Sequence, residues 1–229
     1  SVFWPAILFS AGIEQPKRIL VHGYITVNGQ KIGKSLGNVI DPLVLIGKYG
    51  VDPLRYFLIR EIPFGEDGDF NEKALINRIN NELANELGNL VSRSVSIVQK
   101  NFKGKIRKSD VDEDLSKKLN LDKISSLLES FELTEALNKI FRFIGDCNKY
   151  VNDKAPWSIK DKAYQEEVLY NVLEALRIIS ILISPYMPTT SDKINIILGV
   201  KEGFIKDINF GKQHSYNLKK TEILFTKIK

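Results

Sequence analysis

Cysteine occurs once in 229 residues, at Cys147, methionine once, at Met187, and histidine only at His22 and His214. No disulfide can therefore close within the chain, and no metal site can be assembled from thiolates and imidazoles. Cys147 falls in an apolar helical pattern and reads as a small buried hydrophobe. Long apolar runs are missing too, so no segment of the sequence is long enough to span a bilayer. The opening Ser1-Val2-Phe3-Trp4-Pro5 lacks the basic and apolar regions of a signal peptide, and it lacks an initiator methionine. A piece of a longer cytoplasmic protein is the expectation. Internal repeats and low-complexity segments are also absent. The excess of basic residues is slight, 33 Lys and Arg against 28 Asp and Glu, for a net charge of +5. That suits a polyanionic partner without requiring one. With 43% hydrophobic and 27% charged residues, the composition is that of a globular protein of one or two domains.

Against these absences, residues Lys31-Ile32-Gly33-Lys34-Ser35-Leu36-Gly37-Asn38 stand out. Two lysines three positions apart sit among Gly29, Gly33 and Gly37, with a serine directly after the second. Lysines supply point charges and donors, and glycines let backbone come close to a ligand, a combination suited to gripping a polyphosphate. The pattern by itself also fits an ordinary exposed turn.

Three regions follow from the patterning. Residues 1–30 hold short apolar and β-rich runs, with Ile19 to Val27 reading as strand and Asn28-Gly29 as a tight turn. Residues 31–70 hold the glycine loop and two short helices whose starts are marked by Asp41-Pro42 and Asp52-Pro53. Gly65 to Asp69 reads as a polar turn and Asn71 as a helix cap. Residues 71–229 are helical and end in a basic tail. Leu75, Ile76, Ile79, Leu83, Leu87, Leu90, Val91 and Val98 mark one amphipathic helix. A second runs from Glu113 to Ser130, a third from Thr134 until Pro156 stops it, a fourth from Ala163 to Ser184, and a short one from Ser191 to Leu198. The fold class expected is mostly α, with antiparallel packing as the natural way to bury these stripes.

Beside the apolar stripe of the first helix, Asn85, Asn89 and Arg93 recur every four residues and make a polar line. Such a line serves equally as a solvated face or as directional donors and acceptors that read base edges. Lys154-Ala155-Pro156-Trp157 places an indole just beyond a forced helix stop. That indole is either a plug for the core or a platform on which an unpaired base stacks.

Taken together, Phe3-Trp4-Pro5-Ala6, Val21-His22-Gly23-Tyr24, Lys31 to Asp41, Gly88 to Arg93 and Ala155-Pro156-Trp157 resemble, in this order and over essentially the whole chain, methionyl-tRNA synthetases. Lys31 to Ser35 looks like the Lys-Met-Ser-Lys-Ser signature of class I synthetases, with Ile32 and Gly33 where Met and Ser are usual. The resemblance implies an antiparallel anticodon-binding bundle, preceded by the last strand and signature loop of a Rossmann-like α/β catalytic domain. It implies ATP-dependent activation of methionine and its transfer to tRNA-Met, with ATP accompanied by Mg2+. Lys34, assisted by Lys31 and Ser35, would hold the ATP pyrophosphate, and Trp4 would line the methionine pocket. Asn89, Arg93 and Trp157 would bind the CAU anticodon. The family's His-Ile-Gly-His signature and its zinc-holding knuckle do not occur in this sequence. A chain holding half an active site is expected to bind tRNA without catalysing. Synthetases for isoleucine, valine, leucine or cysteine are the neighbouring alternatives, and a non-catalytic tRNA-binding protein is the alternative of another kind.

Overall fold

The computed structural model describes residues 2–33, 35, 37–63, 65–219 and 223–228. The described chain is mostly helical, with one three-stranded and one two-stranded sheet. Its first element is a helix, α1 (Phe3–Ser10), where the sequence reads as short apolar and β-rich runs. Pro5 is compatible with it, because the first turn of a helix leaves its N–H groups unpaired anyway. No residue of α1 is buried.

The expected strand from Ile19 to Val27 is confined to β1 (Ile25–Val27). Strands persist only where a neighbour completes their hydrogen bonds, and β1 finds two short neighbours. One is β2 (Gln30–Lys31), antiparallel across Asn28 and Gly29, whose φ values of 50° and 74° suit a tight hairpin turn. The other is β3 (Gly68–Phe70), parallel to β1, so the segment read as a polar turn ends as a strand. Gly23 is required where it stands: a Cβ there would lie 2.0 Å from the Glu66 carbonyl oxygen.

The crossover between β1 and β3 carries α2 (Pro42–Tyr49) and α3 (Val51–Glu61). Asp41 caps α2 as its sequence suggests, accepting from the Leu43 N–H at 2.8 Å, with Pro42 at the first helical position. Asp52 does not cap its own helix. It lies inside α3, is 4% exposed, and accepts instead from the Thr190 N–H (2.6 Å) and hydroxyl (2.7 Å). Thr190 sits in the first turn of α10 (Pro188–Leu198), so the carboxylate caps a helix 138 residues away. Asp52→Ala strands two buried donors, and we expect a loss of about 1–3 kcal/mol in unfolding free energy, read by urea titration.

From Asn71, whose side chain caps Lys73 and Ala74, one helical run extends to Phe102. It is not uniformly α. It consists of α4 (Glu72–Arg78), a π-wound segment Ile79–Gly88, and α5 (Asn89–Phe102). The reason lies in the core residues. Leu75, Ile79, Leu83, Leu87, Val91 and Val95 are all at most 3% exposed and recur every four positions. In an α-helix each such step overshoots a full turn by about 40°, so five steps would carry the stripe to the far side. The wider π turn absorbs the overshoot and keeps the stripe facing inward.

The helix expected from Glu113 to Ser130 is broken into α6 (Glu113–Ser116) and α7 (Leu121–Glu129), because Asp112 and Asn120 each cap their own start. Next come α8 (Leu133–Lys154) and α9 (Lys162–Ile183), with Asp161 capping α9. Buried almost all round, α9 is the core helix against which α5, α8 and α10 pack. Its buried Glu174 and Arg177 pair at 3.0 Å and fasten the tail: Glu174 accepts from Lys212 N–H at 3.1 Å, and Arg177 donates to the carbonyls of Asp207 and Asn209. A second sheet pairs β4 (Lys105–Arg107) with β5 (Ser215–Asn217), where the sequence showed no strand pattern.

Candidate functional site

Arg93, on α5, and Trp157, just beyond α8, come together. The guanidinium carbon lies 5.2 Å from the centre of the indole ring, a cation–π stack. The indole is 52% exposed, so one face serves Arg93 while surface remains for a further planar group. With Ser92, Ser96 and Ile97 these residues line a shallow groove. Arg93 is also held from the side, its Nη2 donating to Asn152 Oδ1 at 2.9 Å. A guanidinium fixed on two sides keeps its other N–H groups available in a set direction. Asn89 lies one turn before Arg93, half-buried, and is not among the groove's lining residues. Asn85 is exposed within the π segment.

The indole's position depends on how α8 ends. Ala155 takes a left-handed conformation (φ 43°), unusual for a residue with a side chain, and Pro156 follows it into a buried position. Gln165, 1% exposed, donates to the Pro156 carbonyl at 2.6 Å. Lys154 packs its ammonium against the rings of Tyr150 (5.4 Å) and Tyr164 (5.8 Å) and pairs with Asp112 at 3.3 Å. Asp112 in turn accepts from the Tyr150 hydroxyl at 3.0 Å. Burial pushes the Asp112 carboxyl up, but the Leu115 N–H, the Tyr150 hydroxyl and Lys154 together hold it below the usual carboxylate range. A depressed carboxyl stabilises the fold above its unfolded pKa of about 3.9 and loses that contribution as pH falls through the lower folded value. Thermal unfolding between about pH 2 and 6 should therefore lose part of its acid dependence in Asp112→Asn.

The lysine-rich loop lies elsewhere. Lys31 ends β2 with its ammonium 5.5 Å from the Tyr24 ring. Asn38 staples the loop at both ends: its Oδ1 accepts from Gly33 N–H (2.9 Å) and its Nδ2 donates to the Lys31 carbonyl (3.0 Å). Behind the loop, Asp69 accepts from the Gly29 N–H and the Thr26 hydroxyl, both at 2.7 Å, and these bonds hold its carboxyl below the ordinary range. Ser35 is exposed. Lys34 lies outside the described residues. Trp4, in the first turn of α1, is 54% exposed.

Sequence reasoning did not single out Asn38, Asn152, Asp112 or Lys154 as parts of these arrangements. Asn38 carried a weak signal, as a residue type suited to bonding backbone within a glycine loop. The partner of Asn152 comes from a helix 59 residues away, which no local pattern reports. Among the described residues no group of three or more His, Cys, Asp or Glu is placed to hold a metal ion, and no helix is long and apolar enough to cross a membrane.

Two family models meet on this chain. The model described as tRNA synthetases class I (M) matches residues 1–95, and that described as the anticodon-binding domain of tRNA ligase matches residues 116–226. Between them the two models place the chain among class I aminoacyl-tRNA synthetases. Methionine–tRNA ligase of Caldanaerobacter subterraneus subsp. tengcongensis is 42% identical over all of this chain and 38% of its own length. That of Thermotoga maritima is 44% identical over 85% of this chain and 32% of its own. Mycobacterium tuberculosis methionyl-tRNA synthetase in complex with methionyl-adenylate superposes with a TM-score of 0.88 at 36% identity, covering 98% of this chain and 47% of that one. The chain belongs to the methionyl-tRNA synthetase family. It spans less than half the length of these relatives.

Proposed function

We propose that this chain is the signature-loop and anticodon-binding part of a methionine–tRNA ligase. Residues 1–30 would close a Rossmann-like catalytic domain, 31–70 carry the signature loop and a stem-contact region, and 71–229 form an antiparallel anticodon-binding bundle. What supports the reading most is the agreement of sequence and fold, over 98% of the chain, with a synthetase solved with methionyl-adenylate.

In the proposed reaction the methionine carboxylate attacks the α-phosphorus of ATP, the bond from that phosphorus to the β-phosphate oxygen breaks, and methionyl-adenylate and pyrophosphate are formed. A terminal ribose hydroxyl of tRNA-Met then attacks the activated carbonyl and AMP leaves. Chemistry of this kind is advanced by positioning and by neutralising charge as it develops. Lys34 is assigned the neutralisation of the leaving pyrophosphate, with Lys31 and Ser35 assisting, and magnesium would arrive with the ATP phosphates. Gly33, in place of the usual serine, supplies only its N–H, which the Asn38 side chain takes up. Trp4 is assigned to the methionine pocket. At the other site Arg93 and Asn89 would hydrogen-bond the first anticodon base, the cytosine of CAU, while the free surface of Trp157 stacks on it. Lysines spread over the surface would add salt-dependent affinity for the phosphate backbone. Charging tRNA is a step of protein synthesis, so the cytoplasm is the compartment proposed.

The test is aminoacylation by the full-length protein that carries this chain. With ATP, each of methionine, isoleucine, valine, leucine and cysteine is offered alongside unfractionated tRNA. Methionine alone should become attached to tRNA; attachment of another of these amino acids, or of none, would contradict the assignment.

A further inference from the structure

The helix that carries Asn89 and Arg93 enters the groove directly from the π-wound segment, which ends at Gly88. This makes the winding of Ile79–Gly88 an aiming device. A change of one residue in turn length would swing everything downstream by about 100° around the helix axis, and Arg93 would leave Trp157, which is held on a different element. Something must hold the wide winding at the end nearest the groove. The buried stripe holds its inner side. On the α8 side there is one amide: Asn148 Nδ2 donates to the Glu86 carbonyl at 3.2 Å and, within its own helix, to the Ile144 carbonyl at 3.2 Å. Glu86 lies two residues before the end of the π segment and three before Asn89. Asn148 is half-buried, sits one helical turn before Asn152, and touches none of the groove's lining residues by hydrogen bond among those described. At the segment's other end the Asn80 amide clasps the Ile228 backbone with two bonds of 2.8 Å, so the winding is pinned at both extremities.

We propose that Asn148 is a positioning residue for base reading: by tying the Glu86 carbonyl to α8 it fixes the π winding that aims Arg93 and Asn89 into the Trp157 groove. This role rests on the reading of that groove as the anticodon site. It separates two functions of one helix face, since Asn148 would set selectivity without touching RNA.

The experiment compares the unmutated chain with Asn148→Leu, which keeps the branched side-chain shape but removes the donor. Dissociation constants are measured for an RNA stem-loop with the CAU anticodon and for the same loop with its first base changed. Hydrogen–deuterium exchange of residues 79–93 reads the winding directly. The expected result is a fall of about tenfold in the ratio of the two constants, faster exchange confined to residues 79–93, and unchanged affinity for the altered loop. Asn148→Ser, smaller and polar, gives the same comparison if the leucine variant does not fold. Equal binding of both loops by the unmutated chain would overturn the groove's reading and this role with it. Discrimination that survives undiminished in the variant, whatever the exchange shows, would overturn this role alone.

Discussion

Lys34→Ala, made in the full-length protein that carries this chain, slows formation of methionyl-adenylate by about 10²–10³, equivalent to about 3–4 kcal/mol of lost transition-state stabilisation. The size follows from what the residue is assigned to do. Cleaving the α–β phosphate linkage moves negative charge onto pyrophosphate, and a single ammonium held at that place interacts more strongly with the transition state than with bound ATP. Such a loss falls on the rate of the chemical step and leaves tRNA affinity as it was. Pyrophosphate exchange measures the first, and RNA binding the second. Lys31→Ala should cost less: Lys31 ends a strand, and its ammonium lies beside the Tyr24 ring. An unchanged exchange rate in Lys34→Ala would remove the phosphate role from the loop.

Trp157→Ala has the second largest expected effect, a loss of about 1–3 kcal/mol in binding of the CAU loop, or roughly five- to 150-fold. Two contributions disappear together. One is the stacking surface itself, since the indole is 52% exposed and free to meet a base. The other is the support under Arg93, whose guanidinium would retain only Asn152. Trp157→Phe restores a flat ring and should recover a large part of the loss. Fold stability should change little, because an indole half in water contributes less burial than a core residue. A fall in melting temperature as large as that of a core truncation would recast Trp157 as a structural plug.

How much of this was legible in the sequence depends on how far apart the cooperating residues stand. The Asp41-Pro42 start of α2, the Asn71 cap and the helix from Ala163 to Ser184 are local chemistry, and they match the structure within a residue or two. Asp52-Pro53 looked the same and was not. Nothing local distinguishes an aspartate that caps its own helix from one that reaches Thr190 across the fold. The β-rich run from Ile19 is strand only over Ile25–Val27, because such a composition reports what a segment could do beside a partner, not whether a partner is present. The π segment was recoverable in principle. Six apolar residues at a strict spacing of four are incompatible with one α-helical face over that length, and the mismatch is visible in the sequence once counted.

The groove shows the same division. Arg93 and Trp157 are 64 positions apart, and their residue types together with the resemblance predicted that they would meet. The contacts that set their geometry have no local signature: Asn152 with the guanidinium, Lys154 with Asp112, and the left-handed conformation of Ala155 two residues before the indole. The side-chain contacts among them exist only once α5, α6, α8 and α9 are packed against one another.

Arg93 stacked on Trp157 is the pair proposed to read the first anticodon base. That role is measured most directly by a pair of titrations of the chain carrying Trp4→Phe, so that Trp157 is the one tryptophan whose fluorescence is followed. One uses an RNA stem-loop bearing CAU and the other the same stem-loop with its first anticodon base changed. Tighter binding of CAU by at least tenfold, with quenching of the indole on stacking, is the result predicted. Equal affinities, or an indole whose emission does not respond to the RNA, would contradict it.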